Sequence, residues 1–284
     1  MASIRLKKAG VMSTIQDSGR SGFAALGVPQ SGPMDLDSFM LANRLMRRPS
    51  GAACLELYMG GVEMIFDTAT QVVFTGAVGK ITYQGTSFSG NQIIHVHKGE
   101  VLTIAPPAKG QWAYMAINGN FAADQVLGSR SFYPGITQKA KFANNDRIVF
   151  YPKSEDIPND HAKIKPLIFT EYQCLEAYPG PSFAQLNEQQ RRQLGQNTFT
   201  LSQAQSRMGI QLEEKMIHEL KELISAPVYP GTVQLTPSGK LIVLMKDAQV
   251  TGGYPRILQL SWNSLSKLAQ LRPSGKIHFK ILSY

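Results

Sequence analysis

Apolar and polar residues alternate along most of this chain in short runs. "QVVFTGAVGKITYQG", "NQIIHVHKGEVLTIAPP", "GQWAYMAINGNF", "DRIVFYP", "PLIFTEYQCLEAYPG" and "KLIVLMKD" are rich in β-branched and aromatic residues and are bounded by Gly, Pro, Asn or Asp. This pattern predicts strands, because branched side chains pack on a pleated surface and the bounding residues favour turns. One run every ~8–12 residues is the spacing of a sandwich or barrel. Helical periodicity is scarce. Asp35 is placed to cap "LDSFMLANRLM", where Leu36, Phe39, Met40 and Asn43 share a face. Ser182 is expected to cap "FAQLNEQQRRQL", ended by Gly195, and Asn263 to cap "SLSKLAQL". The expectation is a mainly β protein with a few short helices.

The pattern breaks between Tyr151 and Pro166, where "YPKSEDIPNDHAKIKP" combines three prolines, several charges and little apolar surface. That composition reads as a linker over 151–166, joining β-rich halves at 1–150 and 167–284.

Composition narrows the class. A chain of 284 residues with 43% apolar and 17% charged residues can bury a sizeable core, which excludes disorder. No apolar run approaches the ~18 residues that span a bilayer. "MASIRLKKAGVMSTIQ" has basic residues without an apolar stretch after them, so no secretory signal is read there and a cytoplasmic protein is expected. Cys54 and Cys174 lie in apolar contexts and are expected to be buried free thiols. The net charge is +9, but the lysines are spread singly along apparent strands. An acidic partner protein or an anionic small-molecule substrate fits that distribution better than nucleic acid.

Three glycine-and-polar segments stand apart from the strands: "TIQDSGRSGFAALGVPQSGPMD" (Thr14–Asp35), "VLGSRSFYPG" (Val126–Gly135) and "KDAQVTGGYPR" (Lys246–Arg256). In each, small residues allow close backbone approach, and Arg20, Arg130 or Arg256 supplies a charged fork. Turn chemistry alone would also place glycine, Asp and Ser there. No nucleophile elbow, phosphate loop or zinc-protease motif is present in the sequence. His95 and His97 share a strand face without an obvious third ligand, so no metal is expected.

The first segment resembles the N-terminal signature of the allophanate hydrolase subunit 2 family, also called the biotin-dependent carboxyltransferase family. "LELYMGG", "FTGA", "VLGSRS", "YPGP", "SRMGIQL" and "VLMKDAQVTGGYPR" follow in that family's order, so the resemblance spans nearly the whole chain. It implies cyclophilin-like β-barrels. For stand-alone members of this length, it implies a subunit of an ATP-dependent 5-oxoprolinase that opens the 5-oxoproline lactam to L-glutamate beside subunits A and B. ATP is then a requirement of the complex. The resemblance leaves two alternatives open: a carboxyltransferase subunit acting on urea or a related amide, or a regulator that sequesters an inhibitor of a sensor kinase. Biotin belongs only to the first alternative, and the chain has no A-M-K-M attachment motif.

On this resemblance the first segment lines the site, with Gln16, Ser31 and Asp35 facing substrate and Asp17 among the catalytic groups. Arg20, Arg130 beside Ser129, and the Gly252–Gly253 backbone are expected to stabilise oxyanion charge. Asp247 would orient water or accept a proton, with Gln249 and Tyr254 nearby. One departure bears on specificity. Where the family reads S-D-R-M-G-x-R-L, this chain has Ser206-Arg207-Met208-Gly209-Ile210-Gln211-Leu212, an acid and a base fewer, which leaves Arg207 as a candidate substrate contact.

Overall fold

The computed structural model describes residues 1–158, 164 and 167–283. Its contacts divide the chain into two compact units: Met1–Arg20 with Ser31–Phe169, and Ser21–Gln30 with Thr170–Tyr284. Both are mainly β, as the alternation predicts.

In the first unit a seven-stranded sheet runs in the order Gly119–Phe121, Arg147–Pro152, Ala2–Ala9, Val62–Phe66, Val101–Ile104, Ile81–Tyr83, Thr86–Phe88. A five-stranded sheet runs Met12–Gln16, Cys54–Tyr58, Trp112–Ile117, Thr70–Gly76, Ile93–Val96. All the pairings are antiparallel. Residues from both sheets, among them Ile4, Leu6, Phe66, Phe74, Met115 and Phe150, form one buried cluster. Burying each such side chain contributes roughly 1.5–3 kcal/mol, which makes this cluster the main stabilising feature of the unit.

In the second unit seven strands close a barrel: Tyr172–Pro179, Arg256–Leu260, Thr232–Leu235, Lys240–Leu244, Gly209–Lys215, Thr198–Gln205 and Lys276–Ile281. The last pairs in parallel with the first. Closure removes exposed edges, so short strands can coexist there. The interior is apolar, and Phe199 and Phe279 meet at 5.4 Å between ring centroids. Alternation along Tyr172–Pro179 turns Leu175 and Ala177 inward and Cys174 outward. Cys174 is therefore exposed, contrary to its apolar neighbourhood in sequence, whereas Cys54 is buried; both are free thiols.

Three α-helices are present among the described residues. Helix α1 (Leu36–Leu45) starts at Asp35, whose carboxylate accepts from Ser38 N, as expected. Its buried face is Ser38, Phe39, Ala42 and Asn43; Met40 is 44% exposed and lies off it. Helix α2 (Glu188–Gln196) is capped by Asn187 in a reciprocal box with Gln190, and runs through Gly195. Ser182 fails as the cap because its hydroxyl accepts from Arg256 N at 3.2 Å, and only a single 3-10 turn follows it. Helix α3 (Trp262–Ala269) is capped by Ser261 rather than Asn263. No described helix is long and apolar enough to cross a membrane.

The predicted linker begins in a strand ending at Pro152 and continues against the first unit. Gln71 reads both backbone groups of Ile157, accepting from its N–H at 2.7 Å and donating to its carbonyl at 2.9 Å. Asn118 holds the Glu155 carbonyl at 2.8 Å. Residues 159–163, 165 and 166 of that stretch lie outside the described residues.

Candidate functional site

Strand register in the five-stranded sheet sets Thr14 opposite Glu56, Glu56 opposite Tyr114, and Tyr114 opposite Thr75. All four are buried. A buried polar row on a sheet face is costly unless every member is paired. Here much of the row is paired with the backbone at 34–38, the end of the first glycine-rich segment and the first turn of α1. Glu56 Oε2 accepts from Met34 N at 2.8 Å and from the Tyr114 hydroxyl at 2.7 Å. Tyr114 Oη in turn accepts from Asp35 N at 2.7 Å, and Thr75 donates to the Ser38 carbonyl at 2.6 Å. Beside the row, Gln16 accepts from Gly32 N at 3.2 Å and donates to Thr14 Oγ1 and the Phe132 carbonyl. Burial pushes the Tyr114 phenol well above its ordinary pKa, and the Glu56 and Asp35 carboxyls add to the rise. The phenol thus keeps the proton it donates.

One turn away, Asp17 gathers four donors. Its Oδ1 accepts from Gly19 N at 3.0 Å, the Ser131 hydroxyl at 2.8 Å and the Ser129 hydroxyl; its Oδ2 accepts from Arg130 N at 2.6 Å. Arg20 donates to the Ser131 carbonyl, and Phe132 N donates to Ile15 O at 2.9 Å. The stretches at 15–20 and 129–132 are therefore tied together across more than a hundred residues, chiefly by one carboxylate.

Two groups in this cluster are left over for chemistry. Ser31 is a non-glycine residue at φ 57°, a left-handed conformation that costs about 1 kcal/mol or more. Its hydroxyl is buried and has no hydrogen-bond partner among the described residues. The half-buried Arg130 is fixed through its own backbone N–H, and its guanidinium makes no ion pair among the described residues. Gln16, Asp17 and Asp35, expected to offer their side chains to substrate or chemistry, are engaged with Gly32, with the 129–131 stretch and with Ser38 of α1 respectively.

The third segment lies in the second unit, where it meets Ser206–Met208. Arg207 grips Asp247 in a buried two-pronged pair, Nε to Oδ2 at 2.6 Å and Nη2 to Oδ1 at 2.9 Å. Asp247 N also donates to Arg207 O at 2.7 Å. Both oxygens of the expected base are thus engaged by Arg207, next to the position where the family's acid is missing. Gly252 packs against the Gln234 side chain, whose amide nitrogen a Cβ there would approach to 2.6 Å and displace. Gly253 accepts from Leu223 N at 2.7 Å. Gln249 is exposed and Tyr254 half-buried.

Sequence reasoning missed Glu56, Tyr114, Ser131 and Lys246. Glu56 carried a signal, being a lone charge inside the apolar run "CLELY". Lys246 is buried with its ammonium 4.4 Å from the centroid of the Trp262 indole, and nothing in its local pattern announces that.

A family model described as carboxyltransferase domain, subdomain A and B, matches residues 26–281. The chain is 29% identical over 282 residues to the C subunit of 5-oxoprolinase from Escherichia coli (strain K12), covering 97% of this chain and 90% of that protein. It is 37% identical over 125 residues to the urea amidolyase of Lachancea kluyveri, covering 44% of this chain and 7% of that protein. Among solved structures, TTHA0988 superposes with a TM-score of 0.87 at 27% identity, over 99% of this chain. The chain spans 56% of that longer protein.

Proposed function

The chain belongs to the carboxyltransferase-domain family, and from that premise we propose that it is a subunit of an ATP-dependent 5-oxoprolinase, opening the 5-oxoproline lactam to L-glutamate with partner subunits of the A and B kinds. The observation that carries this reading is coverage. The likeness to the C subunit of 5-oxoprolinase takes in nearly all of both chains, whereas urea amidolyase is matched over a small part of its length.

The chemistry asked of the site is demanding. A five-membered lactam is resonance-stabilised, so its carbonyl carbon must be made electrophilic and the charge developing on its oxygen must be held. The substrate also carries a carboxylate. In this reading Arg130 binds that carboxylate, Ser31 donates to or accepts from the ring amide, and Arg20 supports the turn that carries them. Asp17 and Gln16 act by positioning. In the second unit the Arg207–Asp247 pair is a candidate polar centre in its own right, its carboxylate oriented by the guanidinium, and Gln249, Gly252, Gly253 and Tyr254 belong to the same segment as Asp247. No phosphate-cradling loop before a helix occurs in the sequence, so ATP is assigned to the complex and to no residue of this chain.

The test is to purify this chain with A-type and B-type partner subunits and to measure glutamate formed from 5-oxoproline with and without ATP. ATP-dependent glutamate that needs this chain supports the reading. An assembled complex that forms none overturns it. A second reading, carboxyl transfer to urea, is favoured by the urea amidolyase match; there biotin would arrive on another protein, and carboxylation of urea from a carboxybiotinylated carrier would be the outcome that selects it.

A further inference from the structure

Behind the Met12–Gln16 strand, on the side facing away from the polar row, the first unit has a cavity of about 180 Å3. Its floor is apolar: Ile15, Phe121, Phe132, Phe142 and Ile148 line it, and all five are buried members of the main core cluster. Phe132 and Phe142 stand 5.1 Å apart in a tilted pair. Cavities near 150 Å3 lined by such residues accept a benzene ring, so one ring-sized group fits here.

The mouth is charged. Lys139, Arg147 and Asp124 line it, on a chain whose net charge is +9. The Lys139 ammonium lies 5.6 Å from the Phe142 ring centroid, at the boundary between apolar floor and solvent. It also pairs with Asp146 at 2.7 Å, and its side chain is 47% exposed, which leaves room for an anion in the mouth to approach it as a second partner. An apolar body seated on the phenylalanines therefore brings an attached carboxylate to a lysine.

We propose that this cavity is a binding site for a small monocarboxylate with a ring-sized apolar group, an aryl carboxylate being the simplest case. It is separate from the Ser31–Arg130 cluster but adjoins its scaffold. Phe132 forms part of the floor, donates from its backbone to Ile15 and accepts from Gln16 through its carbonyl. An occupant pressing on Phe132 would act on the anchor of the candidate site.

The experiment titrates benzoate, with benzamide as its neutral isostere, into the full chain labelled at isoleucine methyls. Benzoate is expected to shift the Ile15 and Ile148 signals saturably, with benzamide weaker. The exposed substitution Lys139→Glu should weaken benzoate by roughly fivefold, the scale of one exposed charge pair, and leave benzamide unchanged. Ala123→Phe, which fills the mouth, should abolish both. Should Ala123→Phe not fold, Lys139→Glu still decides. No saturable shift at those methyls up to the solubility of benzoate overturns the site. Equal loss or equal retention of both probes in Lys139→Glu overturns the assignment of the carboxylate.

Discussion

Asp17 and Arg130 are neighbours in space with opposite duties, and substitution should separate them. Removing the Asp17 carboxylate strips an acceptor from four donors, so Asp17→Ala should lower stability by about 2–3 kcal/mol, the range for hydrogen bonds to a charged group. Arg130→Ala should leave the melting temperature nearly unchanged while cutting turnover of the assembled enzyme roughly a hundredfold. If Asp17→Ala melts normally but is inactive, Asp17 is catalytic and the scaffold reading fails. In the second unit Asp247→Ala removes the carboxylate that pairs a buried guanidinium and should cost about 3–5 kcal/mol. The double variant with Arg207→Ala should recover part of that loss in a denaturant double-mutant cycle. Cys54 gives a pH prediction. Burial pushes its thiol from 9.0 up to about 12, so the folded state holds its proton more tightly than the unfolded chain does. This contribution to stability is complete below about pH 9 and disappears as pH rises from there towards about 12. Tyr114, also raised, acts in the same direction. The urea midpoint should therefore fall on the alkaline side, less steeply in Cys54→Ala. Native alkylation at pH 8 should label Cys174 alone.

At the scale of elements, the Tyr114 hydroxyl joins a strand to the start of α1, so Tyr114→Phe should cost about 1–3 kcal/mol by leaving the Glu56 carboxylate one donor short. It should also loosen the Met34–Asp35 backbone, visible as faster amide exchange there. Asn187→Ala should cost about 1 kcal/mol through the lost capping box of α2. The strands were legible in the sequence because period-two alternation and turn residues act locally. The cap of α1 was legible for the same reason, since Asp35 and Ser38 are three residues apart. The caps of α2 and α3 were misplaced because Ser182 is claimed by Arg256, a partner in a distant strand, and Ser261 outcompetes Asn263 by its position straight after a strand. The glycine-rich segments stand out in the sequence, but the contacts of their residues do not. Whether Gln16 faces substrate or backbone depends on which strands lie beside it. Register across four strands, set by long-range pairing, has no local signature.

For the whole molecule, the prediction concerns division. The first unit is interrupted: Ser21–Gln30 clusters with Thr170–Tyr284, while the residues on either side of it cluster with the rest of the N-terminal part. Expressed alone, a fragment from Thr170 onward would lack ten residues of its own unit. It should be less stable than the same fragment with a Ser21–Gln30 peptide supplied in trans, and equal melting of the two would show that the insertion is dispensable. In genetic terms the two units are not separable cassettes. Recombination at the 169/170 junction would exchange all seven barrel strands but leave the Ser21–Gln30 part of their unit in the other parent. Surviving crossovers in such a gene should therefore fall at the ends of the whole reading frame and not at its apparent middle.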